Sequence, residues 1–277
     1  MTSKRFFIGP ARIGSPLLCV AAAFVCAAVA VADPAPKIAI IIDDLGYEMT
    51  AGRRVVNLPG PITCAVLPST PRARDLAHAA HAAGKEVLLH LPLQSESDKG
   101  EKEPGLIVLD TTREEFATSF AASFESVPFA IGVNSHRGSL LTRHPGHMQW
   151  LMDEIAARGK LLFVDSYTTH RSVALRLARE KGVPAVRRDV FLDSNRDEQS
   201  VRREFDRLKR LARSRGLAIG IGHPYPETLA LLEKELPRLT DEGFELISVS
   251  EYVALKDRPS AATDRLTVHA FQVDTVD

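Results

Sequence analysis

The sequence predicts an α/β fold in which mostly parallel strands form a sheet or barrel covered by helices. Short runs of β-branched and other apolar residues recur between residues 37 and 255, and helical segments separate them. Apolar runs without polar alternation are typical of parallel strands that are buried on both faces. Regular alternation of such strands with helices indicates consecutive βα units.

Eight strands and six helices are predicted, with one helix between each two consecutive strands from the second strand onward. The strands are residues 37–42, 62–67, 86–91, 129–133, 161–164, 183–190, 217–221 and 245–249. The helices are residues 70–84, 111–126, 145–158, 172–181, 199–215 and 226–241. The polar segment 95–105 is expected to be an exposed loop. No break in composition requires a second domain.

Signals at the helix ends support these assignments. Thr111 or Thr112 can cap the helix 111–126, and acidic residues in its first turn favour the helix dipole. Pro71 suits the first turn of its own helix, and Gly84 can end that helix.

The first 32 residues have the pattern of a secretory signal peptide. A basic start precedes the apolar residues 16–31, and Ala30-Val31-Ala32 supplies the small residues that a signal peptidase requires. We expect cleavage after Ala32, a periplasmic or secreted protein, and no stable membrane span after cleavage. The alternative is a retained membrane anchor, for which the apolar run is short.

The remaining chain divides into a short lead-in at residues 33–36, a domain at residues 37–255, and a polar tail at residues 256–277 that we expect to be disordered. Cleavage would leave Cys64 as the only cysteine, and its apolar surroundings favour core packing over a catalytic thiol. The formal net charge is zero, which argues against a nucleic-acid partner.

Acidic and histidine side chains gather at the ends of five predicted strands. They are Asp43, Asp44, His90, His136, Asp165 and His223. Sites of parallel α/β barrels form at this carboxyl rim. Aspartate and histidine are also ligands of zinc and similar divalent ions. The pattern therefore favours a functional site over separate structural roles.

Each of these residues also has a structural interpretation when it is taken alone. Asp43 or Asp44 could cap the helix that follows the strand. A single histidine on a strand, such as His90, is more often a hydrogen-bonded core residue than a ligand. The shared position at one rim is what supports the functional interpretation.

These residues lie in segments that resemble the divergent polysaccharide deacetylases, relatives of the NodB-type carbohydrate esterases. The segments are Ile41-Ile-Asp-Asp-Leu-Gly46, Leu88-Leu-His-Leu-Pro92, Gly132-Val-Asn-Ser-His-Arg-Gly-Ser139, Phe163-Val-Asp-Ser166, Arg188-Asp-Val-Phe-Leu-Asp193 and Gly220-Ile-Gly-His-Pro224. They follow the family's order and span nearly the whole predicted domain. The resemblance implies a deformed (β/α) barrel of the NodB type and a metal-dependent hydrolase ancestry.

The resemblance also implies the ligands of a metal. In typical deacetylases the first aspartate of the pair is a general base and the second binds the metal, which gives these roles to Asp43 and Asp44. His90 falls at the position of the first ligand histidine. The typical motif has a second histidine four residues later, where this chain has Gln94. His136 on the next rim loop could replace it.

Two further catalytic residues follow from the resemblance. His223 matches the late histidine that acts as general acid, and Asp165 would orient or tune a neighbouring group. The typical Arg-Pro-Pro-Tyr segment that shapes the pocket is absent, and residues 134–137 occupy its place.

The expected function is an exported, metal-dependent hydrolase that removes N-acetyl or O-acetyl groups from an amino-sugar polymer or cell-wall fragment. The cofactor would be a divalent metal ion, with zinc as the first candidate. Such an ion activates water, a carboxylate takes the proton and a histidine protonates the leaving amine. Adjacent aspartates are expected to point to different sides of the chain, so that one can bind metal while the other acts as base.

Two other functions stay open. The protein could be a degenerate barrel that binds a glycan or an envelope partner without catalysis, which the missing second histidine favours. It could also be another acyl or glycosyl hydrolase that uses Asp43, Asp44 and Asp165 without a metal. Metal content and activity in the presence of a chelator distinguish the three.

Overall fold

The computed structural model describes residues 1–3, 34–98, 100 and 103–257. Residues 4–32 of the predicted signal peptide and residues 258–277 of the predicted tail lie outside this part of the chain. The described fold belongs to a compact unit that begins at Pro34. Within the described residues, no helix has the length and apolar character needed to cross a membrane.

The nine strands of the described residues all run parallel in one curved sheet. They are β1 (Lys37–Leu45), β2 (Thr63–Val66), β3 (Val87–Leu93), β4 (Ala130–Arg137), β5 (Leu162–Asp165), β6 (Ala185–Arg187), β7 (Val190–Phe191), β8 (Leu217–Gly222) and β9 (Glu245–Leu246). The order is β6-β5-β4-β3-β2-β1-β8-β7, and β9 pairs with the start of β1. This confirms the predicted deformed (β/α) barrel.

Helices pack on both faces of the sheet. They are α1 (Met49–Val56), α2 (Ala73–Ala82), α3 (Arg113–Ser126), α4 (Pro145–Ala157), α5 (Ala174–Glu180), α6 (Glu198–Arg215), α7 (Pro226–Glu235) and α8 (Val249–Asp257). Seven helices, α1–α7, connect the strands and cover the outer face of the sheet, and α8 packs on the inner face. Thr112 caps α3 in a capping box with Glu115, and Asp197 caps α6 by accepting from Ser200 N.

The predicted strand 183–190 is wrong, because this segment forms two short strands at opposite edges of the sheet. Arg188 N donates to Asp165 O over 3.1 Å, whereas the next residue, Asp189, donates to Ile219 O over 3.0 Å. Consecutive residues therefore bond to β5 and β8. The chain crosses from one edge to the other here and closes the deformed barrel.

Two further elements differ from the sequence prediction. The predicted strand 245–249 is only two residues long, and Val249 instead begins α8. Helix α1 was not predicted. It is short and contains Gly52, where an added Cβ would lie 2.5 Å from the Leu76 side chain. Close helix packing requires glycine at this position, which weakens the local helix signal.

Apolar residues cover both faces of the sheet. A larger core lies between the sheet and α1–α7, and Ile38 and Ile40 of β1 belong to it. A smaller core fills the inner face together with α8, and the alternate residues Ala39 and Ile41 belong to that one. Because successive strand residues point to opposite faces, this alternation determines which side chains enter the barrel at its carboxyl rim.

Candidate metal and catalytic site

Four predicted site residues follow the inner-face alternation of their strands. Asp43 lies two residues beyond the inner-face residue Ile41 on β1. The same two-residue step leads to His90 on β3, His136 on β4 and His223 just after β8. Since all strands are parallel, these side chains meet at one rim of the barrel.

Asp44 joins them through an unusual backbone conformation. Its φ of 57° lies in the left-handed region, and the β1–β2 register shifts between Ile42 and Leu45. His90 Nε2 consequently lies 3.1 Å from Asp44 Oδ1 and 3.7 Å from Asp43 Oδ2. The expectation that the two aspartates point to different sides of the chain is therefore wrong, because the bulge turns both carboxyl groups toward one histidine.

Three atoms from β1, β3 and β4 converge at this point. Asp44 Oδ1 lies 2.8 Å from His136 Nδ1, and His136 Nδ1 lies 3.1 Å from His90 Nε2. Asp44 Oδ1 is buried, and among the described residues it makes no hydrogen bond with good angular geometry although both imidazole nitrogens are close. A carboxylate oxygen and two imidazole nitrogens in this arrangement could hold a metal ion, and their types suit zinc and similar divalent ions.

Asn134 connects the base candidate to a ligand candidate. Its Nδ2 donates to Asp43 Oδ1 over 2.7 Å, and its Oδ1 lies 2.8 Å from His90 Nδ1. An amide oxygen can only accept, so it selects the tautomer in which His90 carries its proton on Nδ1. The lone pair of Nε2 then faces Asp44 and His136.

Glu103 supports the other histidine. Its Oε1 lies 3.3 Å from His136 Nε2, on the side of the ring away from Asp44. Arg137 forms an ion pair with Asp98 in the same loop and lies 3.9 Å from Glu103 Oε2. A carboxylate on the outer nitrogen of a ligand histidine is a common way to orient the ring and raise its basicity.

Asp193 orients His223. Asp193 Oδ1 lies 2.8 Å from His223 Nδ1, and Asp193 Oδ2 accepts from His223 N and Thr228 Oγ1 over 2.6 and 2.7 Å. The free Nε2 of His223 lies 3.7 Å from Asp44 Oδ2. The imidazole is thus held with its reactive nitrogen toward the metal candidate.

The two aspartates differ in acidity. Burial raises the pKa of Asp43, although His90, His223 and Asn134 act in the opposite direction. Burial also acts to raise the pKa of Asp44, but the adjacent His136 and His90 outweigh it and hold that pKa below its usual range. Asp44 therefore stays ionised, as a ligand must, while Asp43 takes up a proton more readily.

His136 and His223 both favour the protonated form. Burial opposes this in each case. The carboxylates of Asp44 and Glu103 nevertheless raise the pKa of His136 to about 9. Asp193 raises the pKa of His223, with help from Asp43 and Asp44. The raised pKa of His223 suits a residue that must donate a proton to a leaving group, whereas His136 must lose the proton on Nδ1 when it binds a metal ion.

Asp165 and Gln94 lie apart from this cluster. Asp165 is on the same strand face as Phe163, which packs in the outer core. Its carboxyl group accepts from Tyr167 N and Ser172 Oγ over 2.9 Å each. Gln94 Oε1 accepts from Leu109 N over 2.8 Å. The structure therefore brings together five of the six predicted residues and does not place Asp165 against any of the histidines.

The cluster forms the floor of an open cleft of about 460 Å³. This volume suits a small molecule or one to two sugar rings. The lining residues are Asp43, Asp44, His90, Ser135, His136, Arg137, Ser166, Tyr167, Thr168, Arg188, Phe191, Asp193, Ser194, Arg196, Ile221, His223 and Tyr225.

Sequence reasoning assigned no role to Asn134, Asp193 or Glu103. Asn134 could have been found because it lies two residues before His136 on the same strand face. Asp193 was not recognised because β6 and β7 were predicted as one strand. That strand ends near Asp189, and Asp193 therefore did not fall at a predicted strand end. Glu103 has no periodic signal, because it reaches the site from the polar loop.

Comparison with known proteins places the chain in a family. The family model described as divergent polysaccharide deacetylase matches residues 40–253. The chain is 38% identical to Uncharacterized protein YibQ of Escherichia coli (strain K12) over 200 residues, 72% of this chain and 62% of that protein. An uncharacterized protein of Haemophilus influenzae is 35% identical over 206 residues, 74% of this chain and 73% of that protein.

The alignment thus spans less than two thirds of the E. coli protein. Among solved structures, that of uncharacterized protein ATU2773 from Agrobacterium tumefaciens C58 has a TM-score of 0.75 and 24% identity, and the alignment covers 81% of this chain and 90% of that one. This similarity supports the fold. The family match over residues 40–253, most of the barrel, shows that the chain belongs to the divergent polysaccharide deacetylase family.

Proposed function

We propose that the protein is a metal-dependent deacetylase that removes an acetyl group from an amino sugar of a glycan or cell-wall fragment. One observation carries the proposal. Asp44 Oδ1, His90 Nε2 and His136 Nδ1 converge within 3.1 Å of one another, and Asp43 and His223 flank them. A ligand set beside a carboxylate and a histidine is what hydrolysis of an acetamide requires.

The ligands of the ion would be Asp44, His90 and His136. A divalent ion bound there, with zinc as the first candidate, would lower the pKa of a water molecule and polarise the acetyl carbonyl. Asp43 then takes a proton from the attacking water, because its buried carboxylate has a raised pKa. His223 delivers a proton to the departing amine from Nε2, while Asp193 keeps the ring in place.

Asp165 contributes indirectly in this proposal. Its carboxyl group fixes the loop from Ser166 to Ser172 through hydrogen bonds at 2.9 Å. Carbonyl oxygens of that loop accept from Arg188 at the wall of the cleft. Asp165 is therefore a positioning residue for the wall. We also propose that the chain is exported, which rests on the basic and apolar pattern of residues 1–32.

The test is acetate release from acetylated oligosaccharides and peptidoglycan fragments by the mature protein, with and without added zinc. We expect release that a chelator abolishes and that zinc restores. The Asp44→Asn variant should release no acetate under either condition. Activity that persists in the chelator would contradict a metal-dependent mechanism and would favour a hydrolase that uses the aspartates alone.

A second candidate function is glycan binding without catalysis. The observation that favours it is Gln94, which stands where the typical motif has its second histidine. The side-chain oxygen of Gln94 accepts a hydrogen bond from Leu109 N, and the side chain lies apart from the candidate site. Metal analysis separates the two, because the enzyme should hold close to one divalent ion per chain. Glycan binding without metal and without acetate release would support the binding protein.

A further inference from the structure

Three arginines line the cleft, and they differ in whether a described acidic residue forms an ion pair with them. Arg137 forms an ion pair with Asp98. Within the part of the chain that the structure describes, neither Arg188 nor Arg196 has a carboxylate oxygen within the 4.0 Å limit for an ion pair. Among the described residues, two guanidinium groups thus face the cleft without an ion pair.

Neutral groups hold the Arg188 side chain in place. Its Nε donates to Ser166 O over 2.7 Å, its Nη2 donates to Tyr167 O over 3.1 Å, and its guanidinium lies 4.7 Å above the Phe191 ring. Burial lowers the pKa of Arg188, and the three carboxylates that act against this, Asp43, Asp165 and Asp189, lie beyond ion-pair distance. Arginine nevertheless stays charged in proteins.

A half-buried charge without a direct partner is costly, and proteins normally pair it. The Nη1 of Arg188 makes no hydrogen bond within the described residues, although the side chain lines the cleft. Two nitrogens of the guanidinium, Nε and Nη2, therefore hold it in place, and the third nitrogen, Nη1, can donate to a ligand. This arrangement is typical of an arginine that binds an oxyanion.

Arg196 is held beside the candidate general acid. Its guanidinium lies 3.7 Å from the centre of the Tyr225 ring, and its Nη2 donates to Tyr225 Oη over 2.7 Å. The Tyr225 ring in turn stacks on His223 at 5.2 Å. Within the described ranges, this solvent-exposed arginine is thus fixed at the rim of the site by an aromatic ring and forms no ion pair.

We propose that Arg188 and Arg196 form an anion-binding subsite, so that the substrate is an acetylated amino sugar that also carries a carboxylate or a phosphate. The subsite deepens the proposed deacetylase function and rests on it for the acetyl group. Guanidinium groups bind both oxyanions with two parallel hydrogen bonds, and the distinction between them is left to the experiment.

The test compares three sugars that share the acetamido group. They are N-acetylglucosamine, its lactyl ether N-acetylmuramic acid, and N-acetylglucosamine 6-phosphate. Their affinities for the zinc-loaded protein are measured by titration calorimetry. We expect one charged sugar to bind about tenfold or more tightly than the neutral one, as charge-assisted hydrogen bonds predict. The preferred sugar identifies carboxylate or phosphate as the recognised group.

The Arg188→Gln and Arg196→Gln variants should each lower the ratio of charged to neutral affinity by about threefold or more. Arg196 is exposed, so its variant should fold even if the other does not. Arg210→Gln, an exposed change on α6 outside the cleft, is the matched control and should leave the ratio unchanged. Equal affinity for all three sugars, or an unchanged ratio in the Arg196→Gln variant, would overturn the subsite.

The binding assay requires no turnover, which separates this inference from the proposed function. Tighter binding of a charged sugar without acetate release would uphold the anion subsite and refute the deacetylase. Acetate release with equal affinities for charged and neutral sugars would uphold the deacetylase and refute the anion subsite.

Discussion

Asn134 donates a hydrogen bond from its Nδ2 to Asp43 Oδ1 over 2.7 Å. The amide oxygen of the same side chain lies 2.8 Å from His90 Nδ1. One buried side chain therefore orients the proposed base and one proposed metal ligand at the same time. Loss of such an outer-shell partner typically lowers metal affinity by about 10–100-fold.

Asn134→Leu should remove both hydrogen bonds at nearly constant volume. We expect the zinc affinity to fall by about 10–100-fold, because His90 loses the group that selects its tautomer. The unfolding free energy should fall by about 1–3 kcal/mol, since two buried groups lose a partner. A competition titration with a chromogenic chelator measures the first effect, and Asn57→Leu at an exposed helix end is the control. Zinc affinity within twofold of the parent protein would contradict the assignment.

Asp43 and Asp44 should have separable functions although their carboxyl groups meet at one histidine. Asp44→Asn should lose zinc binding, because the remaining ligands are two histidines. Asp43→Asn should keep close to one zinc per chain while kcat falls by about 100-fold or more, the usual contribution of a general base. Elemental analysis of the two variants beside their acetate release is the measurement. Equal zinc loss in both would mean that the two aspartates act as a single ligand pair.

Glu103→Gln tests the carboxylate behind His136. The amide can still accept a hydrogen bond but supplies no charge, so we expect a smaller loss of zinc affinity of about tenfold. Glu96→Gln is the matched control on the same loop, since Glu96 pairs with Arg143 and does not line the cleft. If both variants bind zinc equally well, Glu103 has no part in holding the site.

His223 and Asp193 should matter only when the leaving group needs a proton. We expect His223→Ala to slow amide hydrolysis by about 100-fold or more, and Asp193→Asn by a smaller factor of about tenfold. The rate of aryl acetate hydrolysis should change little, because a phenol of low pKa leaves as the phenolate and needs no proton from His223. Equal losses on the amide and the aryl ester would argue against a general acid and for a role in substrate binding.

The strand pattern accounts for much of what could be predicted. Apolar runs located the parallel strands, and the two-residue alternation explains why Asp43, His90, His136 and His223 enter the barrel at one rim. The same alternation turns Asp165 toward the outer core, where Phe163 lies. A face assignment for each strand would therefore have separated Asp165 from the others.

Other features depend on backbone geometry or long-range contacts that a strand pattern does not contain. Asp44 enters the site through a positive φ and a register shift. The strands β6 and β7 are separated in sequence only by Arg188 and Asp189, and only their pairing with β5 and β8 shows the crossing. Glu103 approaches His136 from a polar loop that was expected to be exposed.

The central claim is that Asp44, His90 and His136 share one divalent ion. Anomalous diffraction at the zinc edge, from crystals of the mature protein grown with zinc, tests it most directly. We predict one peak per chain that lies about 2.0–2.2 Å from Asp44 Oδ1, His90 Nε2 and His136 Nδ1. A peak that involves His223 and not His136, or the lack of any peak at the floor of the cleft, would contradict it.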